Sequence, residues 1–476
     1  MATSLKDKKE LAAAAQTLGR SQELIVDPAG TLFIPIHWET GEHSPLPPDT
    51  ERVWEPLEAD DLMALARTDH NILFLNESEF RSFTFMTRQS SRHAGATADR
   101  ILLRTKSGLQ ALDNNGAMTP HDGSFAPNYV QAMLNEDKKT KDELFAVISE
   151  WVGGDEQAES LLSHLATALA PGYSAVKYII LLGEGRNGKG TLLAMLEKLF
   201  GRRNISNVTR QMMSEGSQGV FDLSHKLLNI VFDGRMDYIK DSGTEKTLIA
   251  GEPVAIRRLY ETSNRSVQTN ALFIEALNLE PKVRDKSTAL QKRLVRFNFP
   301  NVYAQDHAFL DKMLSDEMQG ALLSLLVDRY VPRSELADRL KPTAASLALQ
   351  AEQLWLGNAV LQFIGHVTET NPGYLLKLQN GEVWVPDFIA AFTPWMQGQG
   401  MAERTDADVV IMLKDCFEMQ WKTKRVGGKP TTLRRIIAIR EATLQALELL
   451  KGAPEDDVDE AVAEGSADEI LSELSE

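Results

Sequence analysis

The sequence predicts an α/β fold built around a parallel sheet, and three observations favour it. Short apolar runs alternate with amphipathic stretches over residues 173–335, which is typical of strands and helices in one layered domain. The run "VKYIILL" (176–182) is apolar apart from Lys177, as expected of a strand buried on both faces. The stretch "TLLAMLEKLFG" (191–201) is amphipathic and ends in glycine, which predicts a helix with a glycine stop.

The composition is that of a soluble globular protein. The chain has 476 residues, of which 43% are apolar and 25% charged, and this length predicts roughly three domains. No apolar run reaches about 18 residues, and the first residues lack the apolar core of a signal peptide, so we expect no membrane segment and a cytoplasmic location. The single cysteine, Cys416, excludes a disulfide framework and a zinc knuckle built on paired cysteines.

Shifts in pattern divide the chain into five predicted regions. Residues 1–100 mix a helical start with apolar patches, from which we predict a helical N-terminal region, and they carry no motif that indicates a role. An extended piece, "ILLRTKSGLQALD", opens a largely helical segment at 101–172. The α/β core covers 173–335, a helical region that ends in a basic hairpin covers 350–450, and an acidic tail covers 451–476.

The net charge of −16 is concentrated in the tail. Residues 452–476 contain ten acidic and no basic side chains, so the rest of the chain carries about −6. Such a run is typical of a solvated, disordered tail. Its last residues place Ile470, Leu471 and Leu474 among acids, which favours the alternative of a short helix that docks on a basic replication protein.

The loop "GEGRNGKGT" (183–191) joins the predicted strand to the predicted helix and resembles a P-loop. Backbone N–H groups at such a helix start surround phosphates, and the lysine neutralises the β- and γ-phosphates. A P-loop has Ser or Thr directly after the lysine, whereas here Gly190 stands there and Thr191 follows. Adenylate kinases also read G-K-G-T, so Thr191 is the predicted Mg²⁺ ligand. The nucleotide-binding residues predicted from this loop are Gly183, Gly185, Gly188, Lys189, Gly190 and Thr191.

Two further apolar strands end in polar residues. The run "HKLLNIVFDG" (225–234) leads to Asp233, about 40 residues after the loop, where an acid that holds Mg²⁺ is expected, as the second metal element beside Thr191. The run "NALFIEALN" (270–278) ends in Asn278, whose carboxamide would orient the attacking water. A basic stretch, "ALQKRLVRFNF" (289–299), then contains Arg293.

Together these segments resemble the superfamily 3 helicases of the phage and plasmid primase-helicase type, which are ring ATPases of the AAA+ class. "GEGRNGKGTLLAML" is similar to the family's A motif, including Asn187, which we add to the nucleotide-binding residues. "EKTLIAGEPVAIRRLY", "LFIEALNLEP" and "LQKRLVRFNF" are similar to its later segments, and "KSGLQALDNNGAMTPH" to its helicase-associated segment. The resemblance covers about 101–300 and implies an AAA+ type ATPase core.

The resemblance also implies a homo-hexamer around single-stranded DNA, with ATP between subunits. Arg293 would act as an arginine finger on the neighbour's ATP. The stretch "VAIRRLYETSNRSVQTNALFI" would be a hairpin that lines the pore and contacts DNA phosphates through Arg257, Arg258 and Arg265. Alternatively, the paired arginines bind acids such as Glu252.

The sequence departs from the family after Asp233. Family members commonly have a second acid or a glutamate at this strand end, whereas Gly234 stands here. The general base is therefore left open between Asp233 alone and a contribution from Asp237.

The C-terminal region contains a basic stretch, "KTKRVGGKPTTLRRIIAIR" (422–440), with seven basic residues and no acid. It follows "DADVVIMLKDCFEMQW", which we predict to be a helix. A helix followed by a basic hairpin predicts a winged-helix-like DNA-binding domain, with a solvated edge hairpin as the alternative. Trp395 and Trp421 are predicted to be core residues. The predicted DNA contacts here are Lys422, Lys424, Arg425, Lys429, Arg434 and Arg435.

The sequence thus predicts an ATP- and Mg²⁺-dependent DNA helicase from a phage or plasmid replicon, acting on forked DNA in the host cytoplasm. Two alternatives remain. A nucleotide kinase would explain G-K-G-T but leaves the basic hairpin without a role. An initiator or loader that binds DNA without unwinding it is consistent with Gly234.

Overall fold

The computed structural model describes residues 3–4, 8–21, 23–26, 31–37, 52–57, 59–70, 72–74, 77–93, 100–122, 124–170, 172, 174–216, 218–234, 243–257, 264–278, 290, 293–399, 401, 405–427, 429–440, 443–444 and 446–448. These residues divide into two compact units. One lies within 1–285 and 293–341, and the other within 286–292 and 342–476.

A parallel sheet of five strands lies at the centre of the first unit, which confirms the predicted α/β class. Its strands, in spatial order, are Ile205–Ser206, Leu228–Val231, Leu272–Leu277, Tyr178–Leu182 and Leu294–Asn298. All five residues of Tyr178–Leu182 are buried, as its unbroken apolar run predicts. Parallel strands bring their carboxyl ends to one edge of the sheet, so the segments that follow them meet there.

One face of this sheet packs into an apolar core. Ile179, Leu181 and Ile274 point into it and are fully buried. The helices that cover this face are Lys138–Val152, Asp155–Ala166, Lys189–Phe200 and Asp316–Asp328. The helix predicted at 191–201 thus begins two residues earlier, at the lysine of the glycine loop.

The other face of the sheet carries a buried polar cluster. The hydroxyl of Tyr178 donates to Oε2 of Glu275 at 3.2 Å, and both side chains are at most 2% exposed. Arg210 and Glu245 form a buried ion pair, with 2.6 Å between Nε and Oε1. Removing one partner of such a pair would leave an uncompensated buried charge and would be strongly destabilising.

The remaining described elements of the core are short. Strands Val254–Arg257 and Asn264–Val267 pair antiparallel, as the hairpin hypothesis predicts. The helices here are Arg210–Ser214, Gly243–Ile249, His307–Met313 and Leu336–Arg339, with 3₁₀ turns at Thr167–Leu169, Arg202–Asn204, Gln218–Leu223 and Arg333–Glu335.

The first hundred residues are mixed α/β, so the prediction of a helical N-terminal region was incomplete. Helices Lys8–Ser21, Ala59–His70 and Glu77–Ser90 accompany a sheet in the order Arg52–Pro56, Leu32–His37, Ile25–Val26 and Arg92–His93. The short strands Thr3–Ser4 and Ile72–Leu73 also pair. Two of the four sheet strands have only two residues, too short for a period of two to be recognised.

The predicted extended piece after residue 100 forms two strands of another sheet, separate from the central sheet and from the sheet of the first hundred residues. The spatial order of this sheet is Tyr129–Met133, Arg100–Thr105, Gly108–Asp113 and Met118–Pro120. Helices Lys138–Val152 and Asp155–Ala166 follow it, as predicted for this segment.

The second unit contains helices and one long hairpin. Its helices are Ala344–Gly357, Ala359–Thr370, Pro372–Gln379, Val385–Gly398 and Asp406–Cys416. Strands Phe417–Val426 and Lys429–Ile439 form the antiparallel pair that we call the basic hairpin. The last helix was predicted to reach Trp421 but ends at Cys416, because Phe417–Trp421 pair with the strand Lys429–Ile439. Among the described helices, none combines the length and the hydropathy needed to cross a membrane.

Candidate functional site

The glycine loop, residues 183–188, turns sharply between the strand Tyr178–Leu182 and the helix Lys189–Phe200. Gly188 has φ 93°, and an added Cβ would lie 2.8 Å from the ring of Trp151, so only glycine fits. A Cβ at Gly183 would overlap the side chain of Asn187. Arg186 also has a positive φ of 50°. A turn that combines left-handed with other residues before a helix can form a concave nest of successive N–H groups that suits an anion.

Lys189 is held inside this loop. Its side chain is 6% exposed, and Nζ donates to the carbonyl of Gly183 at 2.5 Å and to Oδ1 of Asn187 at 2.9 Å. Burial lowers the pKa of Lys189. The amide of Asn187 in turn donates to the carbonyl of Phe299 at 3.2 Å. Asn187 therefore braces the lysine against a neighbouring strand end.

A cavity of about 820 Å³ opens at the carboxyl edge of the sheet and brings the predicted residues together. The loop residues Gly185–Thr191 line it, and so do Asp233 and Asn278. Asp233 follows the strand Leu228–Val231 by two residues, and Asn278 follows Leu272–Leu277 directly. The strand Leu272–Leu277 lies between the other two, so Asn278 emerges between the glycine loop and Asp233.

Sequence reasoning missed one wall of the cavity. Segments far from the loop in sequence supply it, and among them Trp151 and Phe309 pack edge to face with 6.3 Å between ring centroids. An apolar wall beside an anion-binding loop suits a ligand with a flat apolar part and a charged part. The other cavity-lining residues that the sequence did not single out, which include polar and charged ones, are Val147, Glu150, Phe232, Ala276, Tyr303, Ala304, Gln305, Asp306, His307 and Leu310.

The oxygen donors in the cavity suit a hard divalent cation. Thr191 offers a hydroxyl and Asp233 a carboxylate, and magnesium prefers a few protein oxygens completed by water and phosphate. Within the described parts of the chain, no three His, Cys, Asp or Glu side chains are grouped as a metal site.

The structure explains why glycine follows Asp233. An ideal Cβ at Gly234 would overlap Oε1 of Glu275 and Cδ2 of Leu277, while the Gly234 N–H donates to the carbonyl of Ala276 at 3.1 Å. The side chain of Glu275 thus fills the space that a second acid would need. The alternative acid, Asp237, lies outside the described residues.

Arg293 lies at the opposite edge of the sheet from the glycine loop. It precedes the strand Leu294–Asn298, and its carbonyl accepts from the N–H of Tyr178 at 2.8 Å, at the amino end of the strand Tyr178–Leu182. Five residues at about 3.3 Å each separate the two edges by roughly 16 Å. Burial and the nearby Arg293 lower the pKa of Lys177, so two cations share this edge.

The predicted DNA contacts fall into two sets. Arg257 and Arg265 lie on the paired strands of the first hairpin, where Ile256 is opposite Arg265. Residues 258–263, which include Arg258, and the acidic tail lie outside the described residues.

On the basic hairpin, the six predicted residues have different surroundings. Lys422, Arg425 and Lys429 are exposed. Lys424 lies over the ring of Trp384 at 5.3 Å and 3.4 Å from Asp387, and Arg435 donates to the carbonyl of Gly381. The last of the six, Arg434, lies over the ring of Trp421.

The two tryptophans predicted as core differ in their surroundings. Trp395 packs against the apolar core of the second unit, as predicted. Trp421 is 64% exposed, so the core prediction for it was wrong. The hairpin extends beyond that core, and the apolar contacts of its first residues do not continue as far as Trp421.

Comparison with known proteins gives a family match over the site and weak similarity over the whole chain. Residues 181–293, from the glycine loop to Arg293, match a family of unknown function, DUF5906. No curated protein matches the chain. Two apo structures of the NrS-1 C-terminal region are 13% identical, each with a TM-score of 0.44. They cover 90% and 91% of this chain and 98% and 100% of theirs.

The Thr191 hydroxyl lies one position later than in a standard P-loop, and its role can be tested by moving the hydroxyl to position 190. Thr191→Ala should weaken Mg²⁺-dependent nucleotide binding by about 10- to 100-fold, the range for side chains that order a metal site. An ideal Cβ at Gly190 has nothing within 4 Å, so Ser fits there. Gly190→Ser in the Thr191→Ala background should restore part of the binding, measured by calorimetry with and without Mg²⁺. Unchanged binding by Thr191→Ala would show that the hydroxyl is incidental.

The packing at Gly234 predicts a stability defect. Gly234→Ala should lower the free energy of unfolding by about 1–3 kcal/mol, because the new methyl must displace Glu275 or Leu277. Denaturant unfolding measures this. Gly190→Ala is the matched control, since its Cβ meets nothing and alanine suits a helix start. Equal stability of both variants would contradict the packing argument.

Proposed function

We propose that this chain is an ATP-dependent DNA helicase of the superfamily 3, AAA+ type, which assembles as a hexamer and unwinds forked DNA in phage or plasmid replication. One observation carries the proposal. A glycine loop with a buried lysine, a hydroxyl, a carboxylate and a carboxamide converge on one cavity at the carboxyl edge of a parallel sheet. This is where open α/β sheets bind ligands.

Each residue of the cavity suits one task in ATP hydrolysis. The N–H groups of the loop and Lys189 would hold the phosphates, replacing the acceptors that Lys189 now contacts. Thr191 and Asp233 would hold Mg²⁺, which supplies positive charge to the phosphates when bound. Asn278 would orient the attacking water, and the wall of Trp151 and Phe309 would contact the base.

The position of Arg293 supports a shared site between subunits. An arginine roughly 16 Å from the glycine loop, at the other edge of the sheet, cannot reach phosphates in its own cavity. It suits a finger for the cavity of a neighbouring copy, with Lys177 as a second cation beside it. A ring of copies would give every cavity such a partner.

Two basic hairpins support DNA as the polymer. The hairpin of Val254–Arg257 and Asn264–Val267 carries Arg257 and Arg265 on its strands. These two arginines, together with Arg258, which follows in the sequence, would contact single-stranded DNA in the ring. The C-terminal helix and basic hairpin suit a winged-helix-like module. The acidic tail would remain available to a basic replication protein.

ATP turnover measured with and without single-stranded DNA tests the proposal. We expect Mg²⁺-dependent hydrolysis that rises at least several-fold with DNA, and ATP-dependent unwinding of a forked duplex. A nucleoside monophosphate serves as the control substrate, because a nucleotide kinase would phosphorylate it. ATP hydrolysis at the same rate with and without DNA, or phosphoryl transfer from ATP to the monophosphate, would refute the helicase assignment.

A second candidate is a nucleotide-dependent initiator or loader that binds DNA without unwinding it. The space filled by Glu275 favours it, since no second acid can follow Asp233. The forked-duplex assay separates the two functions. DNA binding and ATP-dependent assembly without strand separation would support the loader.

A further inference from the structure

Trp421 is an exposed aromatic side chain on the basic hairpin. It is 64% exposed, and the register places it directly opposite Arg434. The guanidinium of Arg434 lies 4.7 Å from the centroid of the indole ring. This cation–π contact keeps the ring close to the arginine, while most of the tryptophan surface remains in water.

Trp384, a second tryptophan of the same unit, provides a comparison, because its contacts with cationic side chains connect two elements of the unit. Trp384 has Lys424 at 5.3 Å and Arg435 at 5.8 Å from its ring, and it is only partly exposed. Its backbone also bridges to Arg435. These contacts hold the hairpin to the helix that begins at Val385. Trp421 makes no such contact among the described residues, so a purely structural role does not account for it.

The surroundings of Trp421 are cationic. Lys422 and Arg425 are exposed on the same strand, and Lys429 is exposed at the start of the partner strand. Side chains alternate along a strand, so Arg425 shares the face of Trp421 and Lys422 lies on the other face. The hairpin therefore offers a flat aromatic surface beside positive charges on both faces.

We propose that Trp421 and Arg434 form a stacking platform for an unpaired base of single-stranded DNA, with Arg425, on the same face of the hairpin, neutralising a flanking phosphate. The inference rests on the proposed function, since it takes DNA as the ligand of the hairpin. Single-stranded DNA is the occupant because its bases expose their ring faces, whereas both faces of a paired base inside a duplex are covered. A platform of this kind differs from a wing that contacts only duplex backbone.

The test separates base contact from phosphate contact. The full chain, without nucleotide, is titrated into a fluorescent oligothymidylate and into an abasic oligonucleotide of the same length, and binding is followed by anisotropy. Trp421→Ala should weaken binding to oligothymidylate by about 5- to 100-fold, the range for one stacked base. Binding to the abasic strand should be unchanged, and Trp421→Phe should keep part of the affinity.

The dependence on salt provides a second readout. Trp421→Ala should leave the slope of log affinity against log salt unchanged, because stacking releases no counterions. Arg425→Ala should reduce that slope by about 0.7, the value for one phosphate contact on a single strand. Val426→Ala is the matched control, since Val426 is a 50% exposed apolar residue of the same hairpin and should change neither quantity.

The outcomes distinguish this inference from the proposed function. If the wild-type protein and Trp421→Ala bind oligothymidylate equally well, the stacking platform is refuted and the proposed function is not affected. Equal losses on both strands also overturn it, because the abasic strand has no base to stack. Failure of the wild-type protein to bind either strand would remove the DNA-binding function and the platform together.

Discussion

Lys189→Ala should abolish ATP hydrolysis, with turnover falling by at least about 10²- to 10³-fold, the loss typical of removing one preorganised charge from a transition state. The reason lies in the geometry of the loop. Lys189 is 6% exposed, and its ammonium group is already held at the glycine loop by Gly183 and Asn187. When ATP binds, the ammonium group would exchange these acceptors for phosphate oxygens at the same loop and stabilise the charge that develops on them. Steady-state phosphate release with saturating ATP, Mg²⁺ and single-stranded DNA measures the effect.

Lys198→Ala is the matched control for this substitution. Lys198 lies on the same helix, and its ammonium contacts Asp316 at 3.0 Å on the surface. Exposed pairs contribute little to stability, so turnover should stay within about two-fold of wild type. Retained hydrolysis by Lys189→Ala would refute the assignment of the loop.

Arg293→Ala should bind ATP normally and hydrolyse it about 10³- to 10⁵-fold more slowly, the range for an arginine finger. Its position at the amino edge of the sheet, beside Lys177, makes a contact with its own cavity impossible at roughly 16 Å. Nucleotide affinity and single-turnover hydrolysis together measure the split between binding and chemistry. Weakened binding of the same size would instead indicate a structural role.

Mixed assemblies test whether the arginine acts on a neighbour. A subunit with Arg293→Ala retains Lys189, and a subunit with Lys189→Ala retains Arg293. Where the first supplies the cavity and the second the arginine, one complete site forms, so mixtures should regain ATPase activity that neither variant shows alone. The recovery should be greatest near equal amounts of the two variants.

The control for mixing is a pair of separately prepared Lys189→Ala pools, in which every cavity lacks its lysine. It should show no recovery at any ratio. If Arg293→Ala and Lys189→Ala subunits assemble together without regaining activity, the shared-site mechanism has to be abandoned.

Local sequence predicted the strand, the glycine loop and the helix that build the site. The apolar run of Tyr178–Leu182 and the helical spacing of apolar residues in Lys189–Phe200 are patterns within one segment. They can therefore be recognised without knowing which other segments pack against them. The shared direction of parallel strands brings Asp233 and Asn278 to the same edge as the loop. The roles of these residues, and of Mg²⁺ and ATP, stay predictions.

Tertiary structure alone decided what surrounds those residues. Trp151 beneath Gly188, Glu275 in the space beside Gly234 and Phe299 as the anchor of Asn187 are contacts between distant parts of the chain. No periodicity encodes such contacts, since they depend on how elements pack. The same reason explains Trp421. An aromatic residue close in sequence to a core helix is predicted to be buried. Trp421 is instead exposed to solvent, because the hairpin extends beyond the core. Sequence alone thus determined the chemical groups of the candidate site, whereas packing decided which of them are enclosed and which face solvent.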